Sequence, residues 1–309
     1  MKARMRKAFT MVLRLVITLL VFVLIFRNIE LSEVLHTMLG ASPWLLLLGL
    51  GFQLLSTLLA SYRWKKVMRR LGFGQNFRFY LRSYFKGSFF NQGLPTSVGG
   101  DALRVLDVAR TGHRKRDAFY GVAVDRGLGL AGLLLFNLLA HWLAPELLPA
   151  PIFWLLNGIA VGGLAGFVLL HWMQRLSWLE QWGPSRVLRR IAQRLATVLV
   201  TTRDWLQHAG LSLTIHLLTL LAIFAIGNAV GLEFSLLTYM VIVPPVILLT
   251  LIPISLAGWG VREGGMIGLF ALVGGEQTLV LSMSILYGMT LIVSSLPGLY
   301  AYLSGKHAL

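Results

Sequence analysis

The 309-residue chain has no cysteine. That excludes disulfides, thiol catalysis and cysteine-ligated metal. Its 7 histidines form no cluster with metal-ligand spacing, so neither a metal nor another cofactor is expected. Acidic residues are scarce, 12 against 28 Lys and Arg, and charged residues of both signs make up only 13% of the chain. No glycine-rich phosphate loop ending in Gly-Lys-Ser/Thr is present, so no ATP site is expected. The strict alternation of apolar and polar residues that marks a membrane β-barrel is missing as well.

What is abundant is apolar residues. They form 56% of the chain, with a mean hydropathy of +0.73. Long apolar runs lie at 9–26, 42–62, 118–143, 152–173, 211–231 and 279–303, each of about 20 residues and thus long enough to cross hydrocarbon as a helix. Backbone groups in lipid must bond within their own segment, which favours helices. The expected fold class is all-α: a polytopic integral membrane protein. The run at 9–26 follows Lys2, Arg4, Arg6 and Lys7, but no small-residue cleavage site follows Phe26, so it reads as an uncleaved first span.

The net charge of +16 does not require nucleic acid. Cations concentrate in the N-terminus, in 63–117 and in 175–203, while the loops near Glu30, Glu146 and Glu233 are nearly free of them. The positive-inside rule then places the N-terminus, both basic stretches and Lys306 in the cytoplasm. Apolar residues at near-helical spacing, with Arg189, Arg190 and Arg194 between them, predict an interfacial cytoplasmic helix over about 185–207.

One short pattern occurs twice. Residues 94–104 read LPTSVGGDALR and residues 252–262 read IPISLAGWGVR. Pro95, Ser97, Gly100 and Arg104 match Pro253, Ser255, Gly258 and Arg262 at identical offsets. Proline and glycine break helices, so each copy should interrupt an apolar segment. The first copy has basic flanks on both sides and the second has Glu233 and Glu276. Each therefore reads as a re-entrant hairpin, one dipping from inside and one from outside. The prediction is about six transmembrane helices plus two re-entrant hairpins in an inverted repeat, a first repeat at about 9–143 and a second at about 152–303, in one membrane domain over 1–309. Eight full spans are the alternative, because 236–251 is long enough to cross alone. Paired broken segments in corresponding halves point to a transport site near the midplane.

The chemistry available there suits an anion. Gly99 and Gly100 permit close backbone approach, and a helix starting near Asp101 favours negative charge at its N-terminus. Arg104 and Arg262 could hold a lipid phosphate in a bidentate way. The structural alternative stays open: Arg104 paired with Asp101 or Asp107, and Arg262 with Glu263 or a carbonyl. Asp125 and Arg126 read as a local ion pair. Asn91 and Gln92 could line a cavity or satisfy broken backbone. His141, His171 and His216 read as packed, Asn137, Asn157 and Asn228 as interhelical hydrogen-bond formers, and Trp44, Trp142, Trp172 and Trp178 as an aromatic belt. Gly158, Gly162, Gly163 and Gly166 form a small-residue stripe suited to helix packing.

The strings NQGLPTSVGGDALR and PISLAGWGVREGG resemble the two signature regions of the lysylphosphatidylglycerol synthase transmembrane family, also called flippase-like or UPF0104 membrane proteins. Asn91, Leu94, Pro95, Gly99, Gly100, Asp101 and Arg104 carry the first; Pro253, Ser255, Gly258, Gly260, Arg262 and Glu263 carry the second, with Trp259 where an aliphatic residue is more usual. The resemblance implies a lipid-handling protein of a bacterial-type inner membrane, a lipid with an anionic headgroup as its partner, and a lipid-modifying enzyme as a further candidate partner. In the synthases this module is fused to a soluble aminoacyl-transfer domain. The present sequence leaves no room for one after its last apolar run, so synthesis of lysyl-lipid is not expected.

The leading expectation is a lipid flippase with the repeats rocking about a shared headgroup cavity. Its binding set comprises Arg104, Arg262, Gly99, Gly100, Asp101, Ser97, Ser255, Gly258, Gly260, Glu263 and Asn91. Two alternatives stand beside it. One is an intramembrane enzyme or accessory subunit in lipid or glycan modification, with Asp101, Asp125 and Glu263 as acid–base candidates. The other is a basic scaffold acting through Arg114, Lys115 and Arg116.

Overall fold

The computed structural model describes residues 2–27, 29–93, 99–176 and 183–304. All regular structure among them is helical. The helices are α1 (Lys2–Ile25), α2 (Leu31–Leu39), α3 (Pro43–Arg70), α4 (Phe77–Gly93), α5 (Gly99–Ala109), α6 (Lys115–Leu143), α7 (Ala150–Trp172), α8 (Gly183–Val198), α9 (Thr202–Ala229), α10 (Leu236–Thr250), α11 (Val261–Ala271) and α12 (Gln277–Ser304). Five of them, α3, α6, α7, α9 and α12, are long and apolar enough to cross a membrane. Much of their outer surface is bare hydrocarbon: Leu155, Ile159, Val161 and Leu169 on α7 are all exposed. Such a surface is stable only against lipid or another apolar partner. Trp44, Trp142 and Trp172 lie exposed near helix ends, and Trp178 falls outside the described residues.

The two broken segments form helical pairs, α4 with α5 and α10 with α11. At 1.5 Å per residue, α10 rises about 22 Å, short of the roughly 30 Å of a hydrocarbon core. The chain then turns through Ala257, Gly258 and Gly260, all at positive φ, before α11 begins. A 15-residue helix ending in a left-handed turn is an arm of a hairpin and not a full span.

Packing is reciprocal. The last span of each half crosses the hairpin of the other: α12 packs on α4, and α6 packs on α10. Each also packs on its own hairpin's second helix, α6 on α5 and α12 on α11, while α3 and α9 pack together at the centre. This exchange of partners is the inverted repeat seen in contacts. At one crossing, Gly298 of α12 lies so close to the Phe85 backbone of α4 that an added Cβ would collide with it.

The other crossing is governed by two prolines. Pro244 and Pro245 sit inside α10, and neither can donate to the carbonyl four residues earlier. Pro245 thereby strands the Val241 carbonyl, and Val241 is fully buried. His141 of α6 stands 3.2 Å away through Nε2. A carbonyl only accepts, so His141 carries its proton on Nε2 and donates to Val241. The packed histidine of the sequence reading is thus a backbone repair across two halves of the protein.

Other expectations change at residue level. The amphipathic stretch expected over 185–207 divides into α8, Gly183–Val198, and the start of α9. Thr201 and Asp204 form a capping box that starts a new helix at Thr202, so Trp205 and Gln207 belong to α9. Asn157 and Asn228 donate to Phe153 and Phe224 in their own helices instead of bonding between helices, the i−4 back-bond open to any short polar side chain on a helix. Of the glycine stripe on α7, Gly163 faces Leu134, whereas Gly158, Gly162 and Gly166 face open space.

His141→Ala should destabilise the purified protein by about 1–3 kcal/mol, the cost of one buried acceptor left unpaired. His141→Gln, which keeps a donor, should recover part of it. Thermal unfolding in detergent measures both; equal midpoints for wild type and His141→Ala would remove this role.

Candidate functional site

A cavity of about 320 Å³ lies between the two hairpins. Helices α4, α5, α10 and α11 contribute to its wall together with α3, α9 and α12. Arg104 from one half and Arg262 from the other both line it, joined by Asp101, Asn91 and Arg126.

Arg104 is almost fully buried and is held from several sides. Its NH1 donates to Asp101 Oδ1 at 2.9 Å and its NH2 to Asp125 Oδ2 at 2.6 Å. Its guanidinium carbon lies 4.1 Å from the Trp64 ring centre and 4.7 Å from that of Tyr84, a stacking that suits a planar, weakly hydrated cation. Its Nε has no partner among the described residues. Asp125 also accepts from Arg63 Nε at 3.1 Å. Arg63 reaches Ser212 Oγ at 2.9 Å and the Asp125 carbonyl at 3.2 Å. Asp101 accepts a second time, from Arg126 Nε at 2.7 Å. The result is an alternating chain, Arg126–Asp101–Arg104–Asp125–Arg63.

The Asp125–Arg126 ion pair expected from sequence is therefore not formed. Side chains adjacent on a helix leave its axis about 100° apart, and here the two diverge. Asp125 turns inward to two arginines, and Arg126 turns to the cavity with its side chain 47% exposed. Asp107 is not a partner of Arg104 either; it pairs with Lys86 at 2.7 Å.

Arg262 repeats the theme with fewer parts. Its Nε and NH2 both donate to Glu263 Oε1, at 3.0 and 2.6 Å, and Ser284 Oγ also lies against that oxygen at 3.2 Å. Its guanidinium carbon is 4.7 Å from the Trp259 ring centre and 5.7 Å from that of Tyr287. The unusual Trp259 thus serves as a stacking surface for the arginine three residues on. Room for both side chains comes from Gly288 of α12, where a Cβ would collide with each.

The backbone N–H groups of Gly100 and Gly260 are committed to the protein itself. Gly100 N–H donates to Asn91 Oδ1 at 2.7 Å, and a Cβ at Gly100 would collide with the Gly87 carbonyl. Asn91 therefore both lines the cavity and satisfies the start of α5. Gly260 N–H donates to Glu263 Oε2 at 2.6 Å, and Gly260 packs against Val21 of α1. Gly258 packs against Thr250. Gly99, Gly100, Ser255, Gly258, Gly260 and Glu263 are not among the cavity-lining residues; Gly258 and Gly260 shape the second turn at positive φ, and Gly99 and Gly100 begin α5. Ser255 is buried. Ser97 lies outside the described residues.

The structural pairings left open by sequence are formed, Arg104 with Asp101 and Arg262 with Glu263, and both arginines also line the cavity. Residues missed by sequence reasoning are Arg63, Trp64, Tyr84, Arg126 and Tyr287. Arg63 opens a run of cations at the end of α3, where nothing local separates it from its solvated neighbours. Asp125 held the available signal, since an acid inside an apolar run needs a cation from elsewhere.

Asp125→Ala would leave Arg63 and Arg104 buried without their shared counter-charge. The expected loss is about 3–5 kcal/mol, seen as a large fall in the thermal-unfolding midpoint. Asp107→Ala, whose single close partner Lys86 is less buried than Arg63 or Arg104, should cost less. Equal falls for the two variants would contradict a central role for the buried chain of charges.

Comparison with known proteins agrees with the motifs. The chain is similar to the UPF0104 membrane protein MJ1595 of Methanocaldococcus jannaschii, at 29% identity over 126 residues, covering 40% of this chain and 38% of that protein. The matched part thus spans less than two fifths of that curated relative's length. The profile of a family described as the lysylphosphatidylglycerol synthase TM region matches residues 11–298. With a match over nearly its whole length, the chain belongs to the lysylphosphatidylglycerol synthase TM region family.

Proposed function

We propose that this protein moves a lipid with an anionic headgroup between the leaflets of a bacterial-type inner membrane. The observation that carries the reading is the cavity between the hairpins, with Arg104, Arg126 and Arg262 in its wall. Broken helices meeting at a polar chamber, one from each inverted half, are the usual build of a transport site. Among these arginines, Arg126 is the accessible one and makes a single hydrogen bond, through Nε. Its terminal nitrogens are the first contacts for a phosphate, and the buried Arg104 and Arg262 add positive potential behind it. The basic ends of α3 and α6 face the cytoplasm in this reading, where they meet anionic lipid.

The test is transport by purified protein in liposomes. Wild type should accelerate the appearance of fluorescent phosphatidylglycerol in the opposite leaflet. Arg126→Gln should slow it by about tenfold or more, as expected when a contact to a charged partner is removed; a wild-type rate in that variant would end the assignment. Orientation is tested separately. The chain has no cysteine of its own, so a single Glu276→Cys substitution should react with an impermeant maleimide added outside intact cells. Labelling only after lysis would invert the topology.

A further inference from the structure

The charges around the cavity do more than favour an anion. Four guanidinium groups, Arg63, Arg104, Arg126 and Arg262, face three carboxylates, Asp101, Asp125 and Glu263. One positive charge is left over. Each oxygen of the three carboxylates also already accepts a hydrogen bond. Asp101 accepts on one oxygen from Arg104 and on the other from Arg126. Asp125 accepts on one from Arg63 and on the other from Arg104. Glu263 accepts on one from Arg262 and on the other from Gly260 N–H. Among the described residues, none of these six carboxylate oxygens is left without a donor.

The rest of the wall mixes apolar side chains, Ile215, Ile247, Met266 and Leu291 among them, with neutral hydroxyl and amide groups. Thr57 donates its proton to the Gln53 carbonyl at 3.0 Å and Ser295 to the Ile292 carbonyl at 2.7 Å. Their oxygens keep lone pairs as neutral acceptors. Gln53 lines the cavity with its Oε1 buried and without a partner among the described residues. A ligand hydroxyl meets such acceptors well. A ligand ammonium meets surplus positive charge and no free carboxylate, an arrangement that costs binding energy.

We propose that the cavity selects a headgroup with one phosphodiester charge whose remaining part is uncharged and bears hydroxyls, and rejects a headgroup that also carries an ammonium group. The proposal rests on the lipid-transport reading and narrows its substrate class. The discrimination lies in the occupied carboxylates and the neutral acceptors, with Gln53 a position in the wall at which one added carboxylate would change the balance.

The experiment compares two probes with identical fluorescent acyl chains in proteoliposomes of the full chain: phosphatidylglycerol and its lysyl ester. Their rates of crossing are read by quenching of the outer leaflet. Phosphatidylglycerol should cross about tenfold faster or more, given the cost of juxtaposing like charges. Gln53→Glu, nearly isosteric, should bring the two rates together by favouring the lysyl ester. Equal wild-type rates, a faster lysyl ester, or an unchanged ratio in Gln53→Glu would each overturn the selectivity while leaving transport in place. No acceleration of either probe over protein-free vesicles would overturn the transport reading itself, and this proposal with it.

Discussion

A broken helix in hydrocarbon exposes backbone groups that no solvent can satisfy, and each one left unpaired costs several kcal/mol. The architecture is organised around that constraint. Asn91 supplies an acceptor to Gly100 N–H where α5 starts. Glu263 does the same for Gly260 where α11 starts. His141 donates to the Val241 carbonyl that Pro245 leaves stranded. Thr18 of α1 accepts from Leu256 N–H in the second hairpin turn at 3.1 Å. Two of these four repairs come from a helix outside the hairpin they serve. The hairpins are therefore stable only inside the assembled bundle, and α1 is part of that assembly despite its weak apolar packing elsewhere.

The two halves meet the same demands with different divisions of labour. In the second half, Glu263 both caps α11 and neutralises Arg262. In the first, Asn91 caps α5, and Asp101 and Asp125 neutralise Arg104. Separating the jobs frees Asp101 to hold Arg126 and Asp125 to hold Arg63. The arginine and its aromatic neighbours are common to both halves; the extended chain of charges belongs to one. A cavity built this way is electrically lopsided, positive on the side of the first hairpin and close to neutral on the second. An asymmetric ligand would sit in it in one orientation, with its anion toward Arg126.

Much of this is legible in the residues. Apolar runs locate the long helices because length and hydropathy are local properties. The twin Pro–Ser–Gly–Arg segments locate the hairpins because proline and glycine act on their own backbone. The pairings are another matter. Asp125 and Arg126 look like partners when written side by side, yet a helix turns them apart. Arg63 sits in a run of solvated cations, and its partner lies 62 residues away. Capping by Asn91 is hidden because the amide it serves is nine positions later, across a turn. The interruption at Thr201 is carried by a capping box that the amphipathic pattern masks, since apolar spacing continues across it. Local chemistry is readable from order alone; contacts across a fold are not.

The reciprocal packing bears on how any transported headgroup could pass. Two repeats that rock as rigid bodies need an interface that slides. Here the last span of each half is clamped to the hairpin of the other, at Gly298 against the Phe85 backbone and at His141 against the Val241 carbonyl. Close packing of this kind is bistable and does not deform smoothly. Rocking would have to break both clamps together and strand a carbonyl in hydrocarbon. The second hairpin turn is tied differently: around Ala257 the backbone is already in the left-handed region, a conformation costly for alanine and held by its surroundings. Ala257 also lines the cavity. Movement confined to this turn would break the Thr18–Leu256 hydrogen bond but leave the charged chain and both crossed spans in place, so it disturbs fewer buried contacts than rotation of a half.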